Sequence, residues 1–338
     1  MKRAAFITGV EGPSLLVHER DFFASTCPLG FILFARNIEN EAQVKRLIGD
    51  VREAVGADDF WVLIDQEGGR VQRLRPPLFP ELPAARRYTE LFEKDPTKAE
   101  LAAFQIGKFM GKRLLDLGIN MNCAPCLDAA QLDAHDIIGD RSFGLDVETI
   151  VKLGRFQAEG HIAAGSLPVI KHIPGHGRAN ADSHLALPLI DASHEELSAI
   201  DFEPFKQLNS LPVAMTAHVV YSAIDDKSPV STSERSIEEI IRNEIGFDGF
   251  LMCDDVSMEA LDGTIGERTE AVLAAGCDGA LHCNGKFAEM EQVAANSPYL
   301  EGRSLERFKA SFEFVAQPEQ IDEAMALEFL AEDWCACA

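Results

Sequence analysis

The stretch Leu167-Pro168-Val169-Ile170-Lys171-His172-Ile173-Pro174-Gly175-His176-Gly177 begins as an apolar run and ends as a polar, helix-breaking loop. Pro174 and the two glycines prevent a regular helix, so Lys171, His172 and His176 cannot belong to a solvated helical face and must project from a loop. The apolar half reads as a buried strand. A buried strand that delivers polar groups at its carboxyl end is the unit on which parallel α/β enzymes place their chemistry.

The same unit recurs along the chain. Runs with strand character at 4–9, 30–35, 60–64, 120–124, 167–171, 213–217, 249–253 and 279–283 alternate with helical stretches. After Asn40, for example, Val44, Leu47, Ile48, Val51 and Val55 make one apolar stripe at helical spacing. Ser193 with Glu196, and Ser236 with Glu239, read as capping boxes. Eight near-continuously apolar strands alternating with helices predict a closed (β/α)8 TIM-type barrel in preference to an open doubly wound sheet. No Gly/Ser linker or charge block divides the 338 residues, which predicts one domain over 1–338. The helical tail from Ser304 onward is expected to pack outside the barrel, with Trp334 as a docking contact.

Composition limits the function. With 46% hydrophobic residues and no apolar run near the roughly 18 residues of a membrane span, the chain reads as soluble and cytoplasmic. A formal charge of -24 repels phosphate backbones and anionic membranes, so nucleic acid and membrane are excluded as partners. Monomer or weak homo-oligomer is the expected state. The eight cysteines lie mostly in apolar runs and read as buried thiols rather than a disulfide framework; Cys123-Ala124-Pro125-Cys126 has redox-motif spacing but no second pair. Against this acidic background, Arg70, Arg73, Arg75, Arg141 and Lys171 sit beside the motifs, which suggests a polar or anionic small ligand.

Polar groups end one predicted strand after another: Asp65, Asn122, Lys171 with His172, His218, and Asp254 with Asp255. In a barrel these ends converge on one mouth. A carboxylate at a strand end, Asp254, can attack an electrophilic carbon, while its neighbour Asp255 should point away and cap the turn at Val256–Glu259. Asp182 and His184, two residues apart, can form a dyad that gives and takes a proton near neutral pH. The same loop offers metal-ligand types in His172, His176, His184 and Asp182, although Lys171 would set a competing positive charge beside an ion. Asp65-Gln66-Glu67-Gly68-Gly69-Arg70-Val71-Gln72-Arg73 combines carboxylates for sugar hydroxyls with arginine forks, and Glu67 with Arg70 reads as a structural network.

These motifs, 65–73, 140–144, 171–184 and 253–258, resemble family 3 glycoside hydrolases, and within them the bacterial cytoplasmic β-N-acetylglucosaminidases (β-hexosaminidases) of peptidoglycan recycling. The resemblance implies a retaining mechanism with Asp254 as nucleophile and His184, oriented by Asp182, as acid/base. It implies that Asp65, Arg73, Arg141, Lys171 and His172 hold the non-reducing N-acetylglucosamine of a small carbohydrate substrate, N-acetylglucosaminyl-1,6-anhydro-N-acetylmuramic acid with or without peptide. It implies no metal and no organic cofactor. Pro174, Gly175 and Gly177 suggest a loop that swings the dyad over bound sugar. The chain departs from the family pattern at Cys253, Val256, Ile173 and Asp140, and Asp140 adds a negative charge beside Arg141. A phosphorylase on the same scaffold, a silent sugar-binding or regulatory protein, and a metal-dependent barrel hydrolase are the competing readings.

Overall fold

The computed structural model describes residues 2–131, 134, 136–179, 181, 183, 187–315, 318–319 and 323–335. Nine short parallel strands form its central wall: β1 (Ala4–Thr8), β2 (Pro28–Leu33), β3 (Trp61–Ile64), β4 (Met121–Asn122), β5 (Leu167–Pro168), β6 (Ile170–Ile173), β7 (Val213–Thr216), β8 (Phe250–Asp255) and β9 (Gly279–His282). Their hydrogen-bonded order is β5-β4-β3-β2-β1-β9-β8-β7-β6. Only Val169 separates β5 from β6, and its N–H donates to the carbonyls of Asn122 and Ala124. β5 therefore pairs with β4 on one side, β6 pairs with β7 on the other, and the wall closes through this one interrupted strand. The result is the expected (β/α) barrel of eight strand positions.

The strands are apolar because helices cover the outside and side chains fill the inside. β1, β2, β3, β7 and β9 are buried at every residue. The helix Glu41–Val55 shows how a cover forms: Asn40 accepts the N–H of Gln43, Gly56 ends the helix at a φ of 67°, and Val44, Leu47, Ile48, Val51 and Val55 are all buried.

Two expectations need correction. Ser193 and Glu196 do form a capping box, but Ser236 is not a cap. The helix begins earlier, where the Ser233 hydroxyl accepts the N–H of Ser236, because Ser233 is itself held by Asp225. Lys171 and His172 lie inside β6 rather than beyond it, since pairing with β7 continues to Ile173. The C-terminal segments do pack outside, with more specificity than anticipated. On the helix Gly302–Phe314, Phe312 stacks on Trp61, Phe308 meets it edge-on, and Phe308 lies against Phe250. Trp61 and Phe250 open β3 and β8, so this helix seals the amino-terminal end of the barrel and leaves the carboxyl-terminal end as the mouth. Trp334 docks on Tyr88, with ring centroids 5.3 Å apart.

Candidate active site

The carboxyl-terminal mouth holds a cavity of about 320 Å³. Asp65, Arg73, Arg141, Lys171, His172 and Asp254 all line it. Two loops and two strands thus bring together residues spread over nearly two hundred positions, as convergence of strand ends requires.

Local backbone accounting explains how Asp65 and Arg73 meet. After β3 the chain makes a tight antiparallel hairpin, Gln66–Gly68 against Val71–Gln72. The Gln66 side chain lies inside it, its carbonyl accepting the N–H groups of Arg73 and Leu74 while its amide donates to the Leu74 carbonyl. Gly68, at a φ of 108°, presses on the Pro83 carbonyl where any side chain would collide. Asn122, at the end of β4, grips the Gln66 backbone from the other side through both its amide groups. Asn122 is therefore a support beneath the site and not a wall of it.

The charged groups form a continuous row. Arg73 donates to Asp65 at 3.0 Å, Asp65 accepts Lys171 at 2.9 Å, Lys171 reaches Glu67 at 2.6 Å, and Glu67 takes both Nε and Nη2 of Arg141. Burial pushes the Asp65 carboxyl up, but Lys171 and Arg73 overcome it and hold the group well below the usual carboxylate range. Glu67, against the same burial, is held down to about 2 by Arg141 and Lys171. Lys171 is correspondingly raised despite its own burial. Every member of the row is charged at neutral pH. Glu67 and Arg70 both belong to a charged network across the mouth, as read from the sequence, each with its own partners. Arg70 pairs with Asp140 at 2.8 Å and donates to the carbonyls of Asp136, Ile137 and Ile138. The extra charge at Asp140 is taken up by Arg70, and Arg141 keeps its fork on Glu67.

Asp128 is the residue that sequence reasoning missed. It is fully buried, and one carboxylate oxygen accepts the backbone N–H groups of His172 and His176. The other lies 2.7 Å from His172 Nδ1 and accepts the thiol of Cys126 at 3.1 Å. The available signal was an acid inside the apolar run Cys126-Leu127-Asp128-Ala129-Ala130, where an unpaired charge would be costly. Cys126, Asp128 and His172 also offer three metal-ligand atoms within 4.8 Å of one another. Hydrogen bonds among them already satisfy the shared carboxylate oxygen, and the Arg141 charge beside Cys126 opposes a cation there.

The histidine loop is packed tightly where its glycines lie. A Cβ on Gly175 would press on Asp201, and one on Gly177 would overlap the Ala129 carbonyl. Tyr221 donates to the Gly175 carbonyl, and Arg178 pairs with buried Asp201 at 2.7 Å. These glycines serve close approach rather than hinge motion. His176 is buried, with Nε2 3.1 Å from the Ser183 hydroxyl, and burial holds its pKa down at about 4. Asp182 and His184 lie outside the described residues; Ser183, between them, lines the cavity.

At the end of β8 the two aspartates diverge as expected. Asp254 lines the cavity and accepts the N–H of Asp255 at 2.8 Å. Asp255 turns away: it accepts the N–H groups of Ser257 and Cys283 and the hydroxyl of Ser257, which fixes the turn and ties β8 to the end of β9. His218 hydrogen-bonds Ser231 and the Asp255 carbonyl, so it too supports the mouth from behind. Cys123, Cys126, Cys253, Cys277 and Cys283 are buried free thiols, and burial raises those of Cys123 and Cys126 far from reactivity.

A closed parallel barrel whose carboxyl-terminal mouth presents carboxylates and forked cations around a small cavity is the architecture of a barrel enzyme for a polyhydroxylated small molecule. Comparison with known proteins makes this specific: the model of the glycosyl hydrolase family 3 N terminal domain matches residues 25–314, and the chain belongs to that family. The β-hexosaminidase of Bordetella avium is 37% identical over 279 residues, covering 81% of this chain and 79% of its own length. That of Pseudomonas aeruginosa is 35% identical over 334 residues, covering 96% and 98%. Among solved structures, native NagZ from Neisseria gonorrhoeae superposes with a TM-score of 0.84 at 28% identity, covering 98% of this chain and 95% of that one. The gonococcal protein has also been solved in complex with N-trifluoroacetyl-D-glucosamine, with the same TM-score and identity. The chain is thus a glycoside hydrolase of the β-hexosaminidase type. Among the described residues no helix is long and apolar enough to cross a membrane.

Proposed function

We propose that this chain is a retaining exo-β-N-acetylglucosaminidase. It removes the non-reducing terminal N-acetylglucosamine from N-acetylglucosaminyl-1,6-anhydro-N-acetylmuramic acid, with or without peptide, in cytoplasmic peptidoglycan recycling. The observation that carries the reading is the single cavity shared by Asp254 and the five residues assigned to sugar binding. At about 320 Å³, lined by the Asp65–Lys171–Glu67 row, it suits one sugar ring better than a threaded chain. The glucosamine derivative bound by the gonococcal relative supports the same substrate class.

The mechanism follows from the placement of groups. Asp65, Arg73, Arg141, Lys171 and His172 hold the ring hydroxyls and the N-acetyl group, while Asp128 fixes the orientation of His172 through Nδ1. Asp254 attacks the anomeric carbon and the bond to the departing oxygen breaks, giving a glycosyl-enzyme ester. His184, oriented by Asp182, donates its proton to that oxygen, then takes a proton from water as the ester is hydrolysed with overall retention. A histidine is neutral after donation, so it adds no second anion beside Asp254. One catalytic domain over 1–338, acting as a monomer or weak homo-oligomer, completes the reading.

Product analysis tests it. The purified chain, given the anhydro-disaccharide and chitobiose in separate reactions, should release N-acetylglucosamine from the former in preference, and the β-anomer should appear first by NMR. Release of the α-anomer first would contradict retention. Accumulation of sugar 1-phosphate in phosphate buffer would make the chain a phosphorylase.

A further inference from the structure

Glu67 has no assigned part in holding or cleaving sugar, yet its carboxylate joins two buried cations of the cavity. One oxygen accepts Lys171 Nζ at 2.6 Å and Arg141 Nη2 at 2.9 Å, and the other accepts Arg141 Nε at 2.8 Å. The three side chains come from separate places in the fold: the hairpin after β3, the loop after β4, and β6. Through this carboxylate the Arg141 side chain is coupled to that of Lys171. Lys171 is 2% exposed, so the water that would otherwise offset its charge is largely excluded.

Chemically, a lysine and an arginine fork converging in a buried pocket make a good site for phosphate, sulfate or carboxylate. The substrate ring proposed above is neutral where these cations meet it. The charge inventory is consistent with that need: Arg70, Arg73, Lys171 and Arg141 line one cavity with Asp65, Glu67 and Asp254, and Arg70 is paired with Asp140 outside it. Removing Glu67 alone leaves two adjacent cations without the carboxylate they share.

We infer that Glu67 is a positioning residue that determines specificity: it orients Arg141 and Lys171 as donors to neutral sugar oxygens, and by holding their charge it keeps small anions out of the pocket. This rests on the reading of the cavity as the terminal-sugar site. Positioning and charge separate experimentally, because Glu67→Gln removes the charge in nearly the same shape, while Glu67→Asp keeps the charge but draws the carboxylate back by one methylene.

The test measures hydrolysis of a nitrophenyl β-N-acetylglucosaminide in phosphate-free buffer, with inorganic phosphate added as the probe. Wild type should be insensitive to millimolar phosphate. E67Q should raise KM roughly ten-fold or more, as expected for loss of a charged hydrogen-bond anchor, with a smaller fall in kcat, and phosphate should become a competitive inhibitor. E67D should raise KM and remain insensitive to phosphate. Wild-type KM in E67D, or an E67Q enzyme that phosphate does not inhibit, overturns the inference; should E67Q not fold, the E67D result alone decides. A wild-type chain that fails to hydrolyse the glycoside defeats the proposed function instead. In that case phosphate binding by wild type and E67Q, read by thermal shift, still decides the role of Glu67: stabilisation of both equally contradicts it.

Discussion

Asp254 and Asp255 are chemically identical neighbours whose surroundings give them different work. Asp254 opens on the cavity, whereas all of the acceptor capacity seen for Asp255 is spent on Ser257 and Cys283. Asp255→Ala should therefore cost about 1–3 kcal/mol of stability through stranded backbone donors, with kcat lowered far less than by any change at Asp254. Denaturant midpoints and turnover on the two variants check this, and equal loss of turnover in both would refute the division. The divergence of the pair was legible in the sequence, because successive residues past a strand point apart. Asp128 was not: nothing in a local pattern says that a single buried acid will collect two backbone N–H groups and an imidazole from a strand more than forty residues away. The structural role of Arg70 was legible, but its partner Asp140, on a different loop, was not.

The elements around the site are held by buried polar residues whose charge states make a prediction about pH. His161, on the helix Val147–Ala164, pairs Nδ1 with the Gln157 carbonyl and Nε2 with the Asn122 amide, an arrangement that suits the neutral ring. Burial holds both His161 and His176 near pKa 4, against 6.5 for an ordinary histidine. Between those values the unfolded chain binds more protons, so their contribution is complete above about pH 6.5 and is lost as pH falls towards 4. Asp201 acts in the opposite sense: burial raises it to about 6 from 3.8, so stability gains as pH drops through that window. Two histidines against one aspartate predict a net loss of roughly 2 kcal/mol between pH 7 and pH 5. Urea midpoints at the two pH values measure it, and a midpoint that stays level or rises at pH 5 contradicts the assignment. At this scale the sequence was a good guide to helix stripes and to the Ser193 cap, but not to the true cap at Ser233. The Ser-x-x-Glu pattern from Ser236 to Glu239 is indistinguishable from a cap until the path of the preceding chain is known.

For the whole molecule, eight apolar runs, five of them ending in polar residues, were enough to imply the barrel, because strand burial on both faces and convergence of strand ends are properties of spacing and hydrophobicity. How the ring closes was not legible. It depends on the break at Val169, which lets one strand serve β4 with its first half and β7 with its second. The seal at the opposite end depends on long-range aromatic packing of Trp61 with Phe308, at 4.6 Å between centroids. Trp61→Ala should cost about 3–5 kcal/mol in calorimetry or urea titration while sparing the KM of whatever folds, since the cavity lies at the other end. A variant of wild-type stability would mean that this helix does not close the barrel.

The central claim is that Asp254 carries the covalent glycosyl intermediate. Its most direct measurement is to trap that species with a 2-acetamido-5-fluoro-glycosyl fluoride, a substrate whose glycosyl-enzyme turns over slowly, and to locate the label by peptide mass spectrometry. The account predicts one sugar per chain, attached to Asp254. A label on any other residue, or time-dependent inactivation of Asp254→Ala at the wild-type rate, would contradict it.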